Sequence, residues 1–202
     1  MEQILSDVDL RSLRSARRDV TVLFADIRNF TAFAEQQQPE QVVDILNEYF
    51  DVMVEVLFEH HGTLDKFLGD GLLALFGTPI KQLDYPQRAM QAALDLQRAT
   101  TTLNTTRHRR GQPTLHIGIG INSGEAIVGN IGSEKRMEYT VVGDMVNVAQ
   151  RLQAQAGGGE ILIGASLFPH VQHLVSVYDT IETQVKGRQQ PVRAHRIGPL
   201  QP

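Results

Sequence analysis

The sequence predicts an α+β domain in which helices pack on one face of a mainly antiparallel sheet. In the first half of the chain, strand-like apolar runs alternate with long segments of helical spacing, in the order strand, helix, hairpin, helix, strand. Further strand-like segments follow in the second half. At 202 residues the chain fits one domain with a short appendage and can bury a substantial core.

The elements follow from apolar spacing, taken in order along the chain. Val20–Ala25 is an apolar run that predicts the first strand. Helical spacing predicts a helix from Pro39 to about Glu59, with the proline in its first turn and Gly62 beyond its end. Gly69-Asp70 then separates two apolar segments, and a two-residue loop of this kind predicts a hairpin.

The second half of the chain is predicted in the same way. A helix should begin at Tyr85-Pro86 and decay into the polar stretch 100–112, where Arg107–Arg110 predicts a solvated loop. Thr114–Ile121 alternates like a strand, and Glu125–Gly129 like its partner. The remaining pattern predicts one helix and three strands, at 144–156, 161–163, 175–178 and 192–197.

The first nineteen residues differ from the rest. Leucines stand at positions 5, 10 and 13 and arginines at 11, 14, 17 and 18, which predicts a short lead-in helix or linker with a solvated basic face. The folded domain is therefore predicted to span 20–202. A domain that opens in this way is typical of a piece of a longer protein.

The composition excludes several classes of site and partner. The absence of cysteine rules out disulfides, thiolate metal sites and a cysteine nucleophile. A net charge of −4 gives no electrostatic attraction to nucleic acid, so no nucleic-acid partner is expected. No uncharged apolar stretch approaches the roughly 18 residues of a membrane span, and no signal peptide is visible, so we expect a soluble, cytoplasmic domain.

Two carboxylates stand at the ends of neighbouring predicted strands. Asp26 closes the first strand, and Asp70 lies in the hairpin turn. If the strands pair, both emerge from one edge of the sheet with no cation beside them in sequence. Hard oxygen ligands of this kind suit Mg²⁺ or Mn²⁺, and two such ions suit an in-line displacement at phosphorus. Ordinary turn chemistry remains the alternative for Asp70 alone.

A helix in the second half carries a polar pair. Asn147 and Arg151 lie four residues apart after Gly143, so they project from the same helix face. Arginine offers a planar fork for phosphate oxygens and asparagine a neutral amide, although a solvated arginine and a polar surface residue would look the same. The chain lacks a G-x-x-x-x-G-K-[ST] phosphate loop and a G-x-S-x-G elbow. Gly118 and Gly120 predict close backbone packing rather than dinucleotide binding.

Five segments form one set, in the order Val22–Thr31, Asp65–Asp70, His116–Gly124, Tyr139–Arg151 and Val185–Gly187. Together they resemble the class III nucleotidyl cyclase catalytic domain, over roughly residues 20–197. The resemblance implies a ferredoxin-like core and a head-to-tail homodimer whose active sites lie in the interface and use both subunits. It also implies an upstream regulatory or sensor domain, and it is compatible with a parent protein attached to a membrane through a region not present here.

Carried over by position, the resemblance implies the chemistry of the site. Two ions of Mg²⁺ or Mn²⁺ would be held by Asp26 and Asp70, with the backbone of Ile27 as a further ligand. Asn147 would orient the ribose, and Arg151 would stabilise the charge that develops at the α-phosphate. The ribose 3′-hydroxyl would attack the α-phosphorus, so no side-chain nucleophile is needed.

The resemblance also implies the substrate contacts. Lys186 would hold the terminal phosphates, and Arg136 would be a further phosphate contact. Lys66 and Thr140 occupy the two positions that read the base, where lysine selects ATP and guanylyl cyclases typically carry glutamate. The sequence therefore predicts an adenylyl cyclase that forms 3′,5′-cyclic AMP and pyrophosphate from ATP.

Two other functions remain open at this point: a guanylyl cyclase of the same fold, and a catalytically silent nucleotide-binding regulatory module. A silent module usually lacks a metal-binding aspartate or the Asn/Arg pair, and both are present here. A diguanylate cyclase is not predicted, because the hairpin reads Leu68-Gly-Asp-Gly71 in place of Gly-Gly-(Asp/Glu)-Glu-Phe.

Overall fold

Residues 15–133, 135–183 and 191–199 are described in a computed structural model of the chain. Their elements are β1 (Ala16–Ile27), α1 (Phe30–Ala34), α2 (Pro39–Glu59), β2 (Thr63–Leu68), β3 (Gly71–Phe76), α3 (Tyr85–Arg109), β4 (Ile117–Ser133), β5 (Arg136–Val142), α4 (Asp144–Gln155), β6 (Ile161–Gly164), α5 (Phe168–Val171), β7 (Val175–Thr183) and β8 (Val192–Pro199). The predicted bounds of α2 and the predicted hairpin turn at Gly69-Asp70 are confirmed. Ala16–Asp19 belong to β1 rather than to the predicted lead-in, whose residues 1–14 lie outside the described ranges.

β1 lies in the interior of the sheet. It pairs antiparallel with β3 on one side and with β4 on the other, and β2 pairs with β3 in the hairpin. With α2 and α3 as connections, these strands form a ferredoxin-like core in the order β2-β3-β1-β4. β6, β8 and β7 extend the sheet, and β4–β6 is the one parallel pair among the described strands. The predicted α+β class with a mainly antiparallel sheet is confirmed.

Helices cover both faces of the sheet, which corrects the prediction that they pack on one. Leu23 and Ala25 of β1 join the core formed with α2 and α3. Val22 and Phe24 point the opposite way and join a second core with α4 and β5. The apolar run of β1 agrees with this arrangement, because a strand that is buried on both faces does not alternate between apolar and polar residues.

β4 is a single strand of 17 residues, where the sequence predicted two strands pairing with each other. Residues 122–124 look like a turn in sequence, yet they continue the ladder opposite residues 20–22 of β1. Their polar side chains have partners across the sheet and in α4. The Thr21 and Ser123 hydroxyls lie 2.5 Å apart, and the Asn122 amide donates to the Met145 carbonyl. Buried polar groups with such partners do not interrupt a strand.

α3 continues to Arg109, so the prediction of a solvated loop at Arg107–Arg110 is wrong. Threonine disfavours a helix in isolation. Here the threonine hydroxyls donate to carbonyl groups of the preceding turn, as the Thr101 hydroxyl does to the Gln97 carbonyl. The Arg107 side chain is buried, donates to the Pro113 carbonyl and forms an ion pair with Glu48.

Although α3 is 25 residues long, neither it nor another helix in the described ranges has the apolar length needed to cross a bilayer.

α4 packs directly on the backbone of β4, which fixes the position of its polar residues. A Cβ atom added at Gly120 would lie 2.1 Å from the Gln153 nitrogen and 2.4 Å from the Ala149 carbonyl oxygen. At Gly118 it would lie 2.7 Å from the Ala156 carbonyl oxygen. These glycines therefore serve the close packing that the sequence predicted.

We expect Gly120→Ala to lower the free energy of unfolding by about 3 kcal/mol, because the helix backbone must move to admit the methyl group. Urea-induced unfolding followed by circular dichroism measures this change. Gly198→Ala is the matched control, since a Cβ atom there meets no other atom within 4 Å. Equal stability of the two variants would contradict this account of the packing.

Candidate active site

The first group of site residues surrounds the end of β1. Asp26 lies opposite Gly71 in β3, and the Ile27 amide donates to the Asp70 carbonyl over 3.2 Å. Gly69, with a φ of 66°, makes the turn that places Asp70 there. Burial raises the pKa of the Asp26 carboxyl, and the nearby negative charge of Asp70 raises it further.

The space beside Asp26 depends on a glycine. A Cβ atom at Gly71 would lie 2.9 Å from Asp26 Oδ2 and 2.7 Å from the Ala25 carbonyl oxygen. The donor set fits a hard divalent cation, because Mg²⁺ and Mn²⁺ take one or two carboxylates and complete their shell with water and substrate phosphates. Within the described ranges no cluster of three or more His, Asp or Glu forms an all-protein cation site.

Arg28 belongs to this group, and the sequence analysis missed it. Its Nη2 lies 2.5 Å from Asp26 Oδ1, and its Nη1 donates to the Gln153 carbonyl in α4 over 3.5 Å. The guanidinium lowers the pKa of the Asp26 carboxyl, against the effects of burial and of Asp70. The expectation that no cation stands beside the carboxylates is therefore wrong. The signal was present in the sequence, because Arg28 is only two residues after Asp26.

The second group of site residues lies between β2 and β5. Lys66 Nζ donates to Glu138 Oε2 over 2.8 Å, and the Thr140 hydroxyl donates to Asp65 Oδ2 over 2.7 Å. Arg136 donates to the second oxygen of Glu138, so Glu138 joins two of the predicted substrate-binding cations. The hydrogen bond to Glu138 raises the pKa of the Lys66 ammonium, which keeps Lys66 cationic.

A β-bulge in β2 creates this arrangement. Leu64 is opposite Ala74 and Lys66 is opposite Leu73, so Asp65 has no partner of its own in β3. Neighbouring side chains of a regular strand point to opposite faces, but here Asp65 and Lys66 both reach β5. β5 lies over the face of the sheet that carries the second core, because its Val141 packs in that core.

α4 presents the predicted catalytic pair to solvent. Its other face is buried on the sheet through Val148, Ala149 and Leu152. Asn147 and Arg151 are exposed, and neither side chain forms a hydrogen bond or ion pair with another described residue.

By their contacts, the predicted residues fall into three groups in the structure. Asp26, Ile27 and Asp70 lie together, Lys66, Thr140 and Arg136 lie together, and Asn147 and Arg151 share a face of α4. Across the described ranges, no hydrogen bond or ion pair joins one of these groups to another. Lys186 lies outside the described residues. The sequence analysis did not identify Arg28, Asp65 or Glu138 as parts of these groups.

Comparison with known proteins agrees with the fold and the motifs. The family model of the adenylate and guanylate cyclase catalytic domain matches residues 14–197. Adenylate cyclase 1 of Rhizobium meliloti (strain 1021) is 33% identical over 85% of this chain, which spans 26% of that relative's length.

Solved structures are similar over almost their whole length. The adenylyl cyclase CyaB from P. aeruginosa is 32% identical with a TM-score of 0.88, covering 94% of this chain and 98% of its own. The guanylyl cyclase Cya2 is 41% identical with a TM-score of 0.86, covering 93% and 96%. This chain belongs to the family of adenylate and guanylate cyclase catalytic domains.

Proposed function

We propose that this domain is an adenylyl cyclase that converts ATP into 3′,5′-cyclic AMP and pyrophosphate. The observation that carries the choice of ATP is the placement of Lys66 and Thr140 on one surface by the β2 bulge. Adenine offers an acceptor at N1 and a donor at N6, which a cationic donor and a hydroxyl acceptor complement. Guanine offers a donor at N1 and an acceptor at O6, which the same pair opposes.

The active site is proposed to be shared between two copies of the chain in a head-to-tail homodimer. Each site would take Asp26 and Asp70 from one protomer and the base-reading and α4 residues from the other. The exposed apolar side chains beside the base-reading residues, namely Phe67, Leu68, Met137 and Val142, support this assembly.

In the proposed reaction a bond forms between the ribose 3′-oxygen and the α-phosphorus, the bond from that phosphorus to the bridging oxygen of pyrophosphate breaks, and the 3′-hydroxyl proton is released to solvent. Two divalent ions, held by Asp26, Asp70 and the Ile27 backbone, would lower the pKa of the 3′-hydroxyl and neutralise phosphate charge. Asn147 would orient the ribose, and Arg151 would hydrogen-bond the α-phosphate oxygens as their charge grows. Lys186 and Arg136 would bind the terminal phosphates, for which Arg136 must leave Glu138.

The specificity test compares the cyclic product formed from ATP and from GTP, with Mg²⁺ or Mn²⁺. Leaving one buried donor unpaired costs about 1–3 kcal/mol, so the wild-type domain should prefer ATP by roughly tenfold to a hundredfold in kcat/KM. Lys66→Met should lower that preference by at least about tenfold, because it removes the donor to adenine N1 and the clash with guanine N1. A neutral replacement is chosen because a carboxylate at position 66 would face Glu138.

Lys81→Met is the matched control, since Lys81 is exposed and its side chain has no hydrogen bond or ion pair with a described residue of β2 or β5. It should leave the ratio unchanged. Faster conversion of GTP than of ATP by the wild-type domain would favour a guanylyl cyclase. A folded dimer that forms no cyclic product from either nucleotide would favour a silent binding module.

A further inference from the structure

The Thr140 hydroxyl already donates a hydrogen bond within the chain. A hydroxyl carries one proton and two lone pairs, and Thr140 directs its proton to Asp65 Oδ2 over 2.7 Å. The oxygen can then only accept from a third group. Thr140 is also partly exposed, so a ligand can reach it.

Asp65 reaches Thr140 because of the bulge in β2. In a regular strand its side chain would point away from that of Lys66, and only one of the two could meet β5. The bulge directs both side chains to β5, where Thr140 and Glu138 are two residues apart on one face of the strand. The same local irregularity therefore places the lysine and orients the threonine.

Stability does not account for a carboxylate at this position. Burial raises the pKa of the Asp65 carboxyl, and its Oδ1 atom is buried without a hydrogen-bond partner among the described residues. A buried acceptor without a partner is unfavourable to the folded state. Among the described residues, the Asp65 carboxylate accepts its hydrogen bond from the Thr140 hydroxyl.

We propose that Asp65 is a positioning residue for base specificity, an inference that rests on the proposed adenylyl cyclase activity. By taking the only proton of the Thr140 hydroxyl, Asp65 leaves an oxygen that accepts from the adenine 6-amino group. The same oxygen repels O6 of guanine, which is itself an acceptor. A threonine hydroxyl that rotates freely could instead donate to O6, and it would discriminate less between adenine and guanine.

The test is a double-mutant cycle read as the ratio of kcat/KM for ATP to kcat/KM for GTP. Asp65→Ala should lower this ratio by about threefold to tenfold, the range expected for one neutral hydrogen bond. In a Thr140→Val background Asp65→Ala should leave the ratio unchanged, because no hydroxyl remains to be oriented. In a Thr140→Ser background it should lower the ratio again, since serine keeps the hydroxyl.

The other outcomes separate the possible failures. An equal loss of kcat/KM for both nucleotides in Asp65→Ala would show a purely structural role and overturn the inference. A fall of the same size in the Thr140→Val background would overturn it too, because the effect would then run through Lys66. Both results leave the proposed ATP activity standing, whereas a wild-type domain that prefers GTP overturns that activity and the inference together.

Discussion

Asp26→Ala and Asp70→Ala should each lower turnover by about a thousandfold while leaving the fold and the proposed dimer intact. Each removes a proposed ligand of the divalent ions, whose stabilisation of charge in the transition state amounts to several kcal/mol. Neither side chain belongs to the hydrophobic cores of the described residues. Initial rates of cyclic nucleotide formation at saturating ATP and Mn²⁺ measure the loss.

Asp51→Ala is the matched control, because Asp51 is an exposed aspartate on α2. Asp26→Asn provides a second check, since it preserves the size of the side chain beside Arg28 and should be as inactive as the alanine variant. Near-normal turnover in a variant of Asp26 or Asp70 would remove the metal-binding role assigned to that residue.

A mixture of two inactive proteins should regain activity. In a symmetric dimer with shared sites, Asp26→Ala damages the metal-binding half of a site and Arg151→Ala damages the half contributed by α4. Random exchange at equal concentration gives one heterodimer in two, and each heterodimer has one intact site. The mixture should therefore reach about a quarter of wild-type activity.

The control mixes Asp26→Ala with Asp70→Ala. Both substitutions affect the same half of the site, so every site in that mixture has lost at least one carboxylate and activity should stay at background. Subunit exchange is measured separately with two differently labelled proteins. Continued inactivity of the Asp26→Ala and Arg151→Ala mixture despite exchange would contradict the shared site.

The sequence predicted local features of the fold well. The bounds of α2 follow from Pro39 and from apolar spacing, and the hairpin follows from Gly69-Asp70, so both depend only on neighbours in the chain. The predictions were wrong where residues that are distant in sequence determine the local structure. Arg107 is buried because Glu48 neutralises it, and Asn122 continues a strand because α4 supplies its partner.

The candidate site shows the same division. Asp26, Asp70, Asn147 and Arg151 were predicted from short motifs, and the elements that hold them agree with the elements predicted there. The contact between Asp65 and Thr140 joins residues 75 positions apart through a bulge that no local pattern marks. Such long-range side-chain contacts depend on where β5 lies relative to β2. The sequence did not indicate that position.

The direct packing of α4 on Gly118 and Gly120 has a mechanical consequence. Where α4 crosses Gly118 and Gly120, no β4 side chain separates the helix backbone from the strand, so we expect α4 to move together with the sheet. Asn147 and Arg151 then keep a fixed geometry relative to their own subunit. If each site is shared, we expect a signal to change activity by rotating or shifting one protomer against the other.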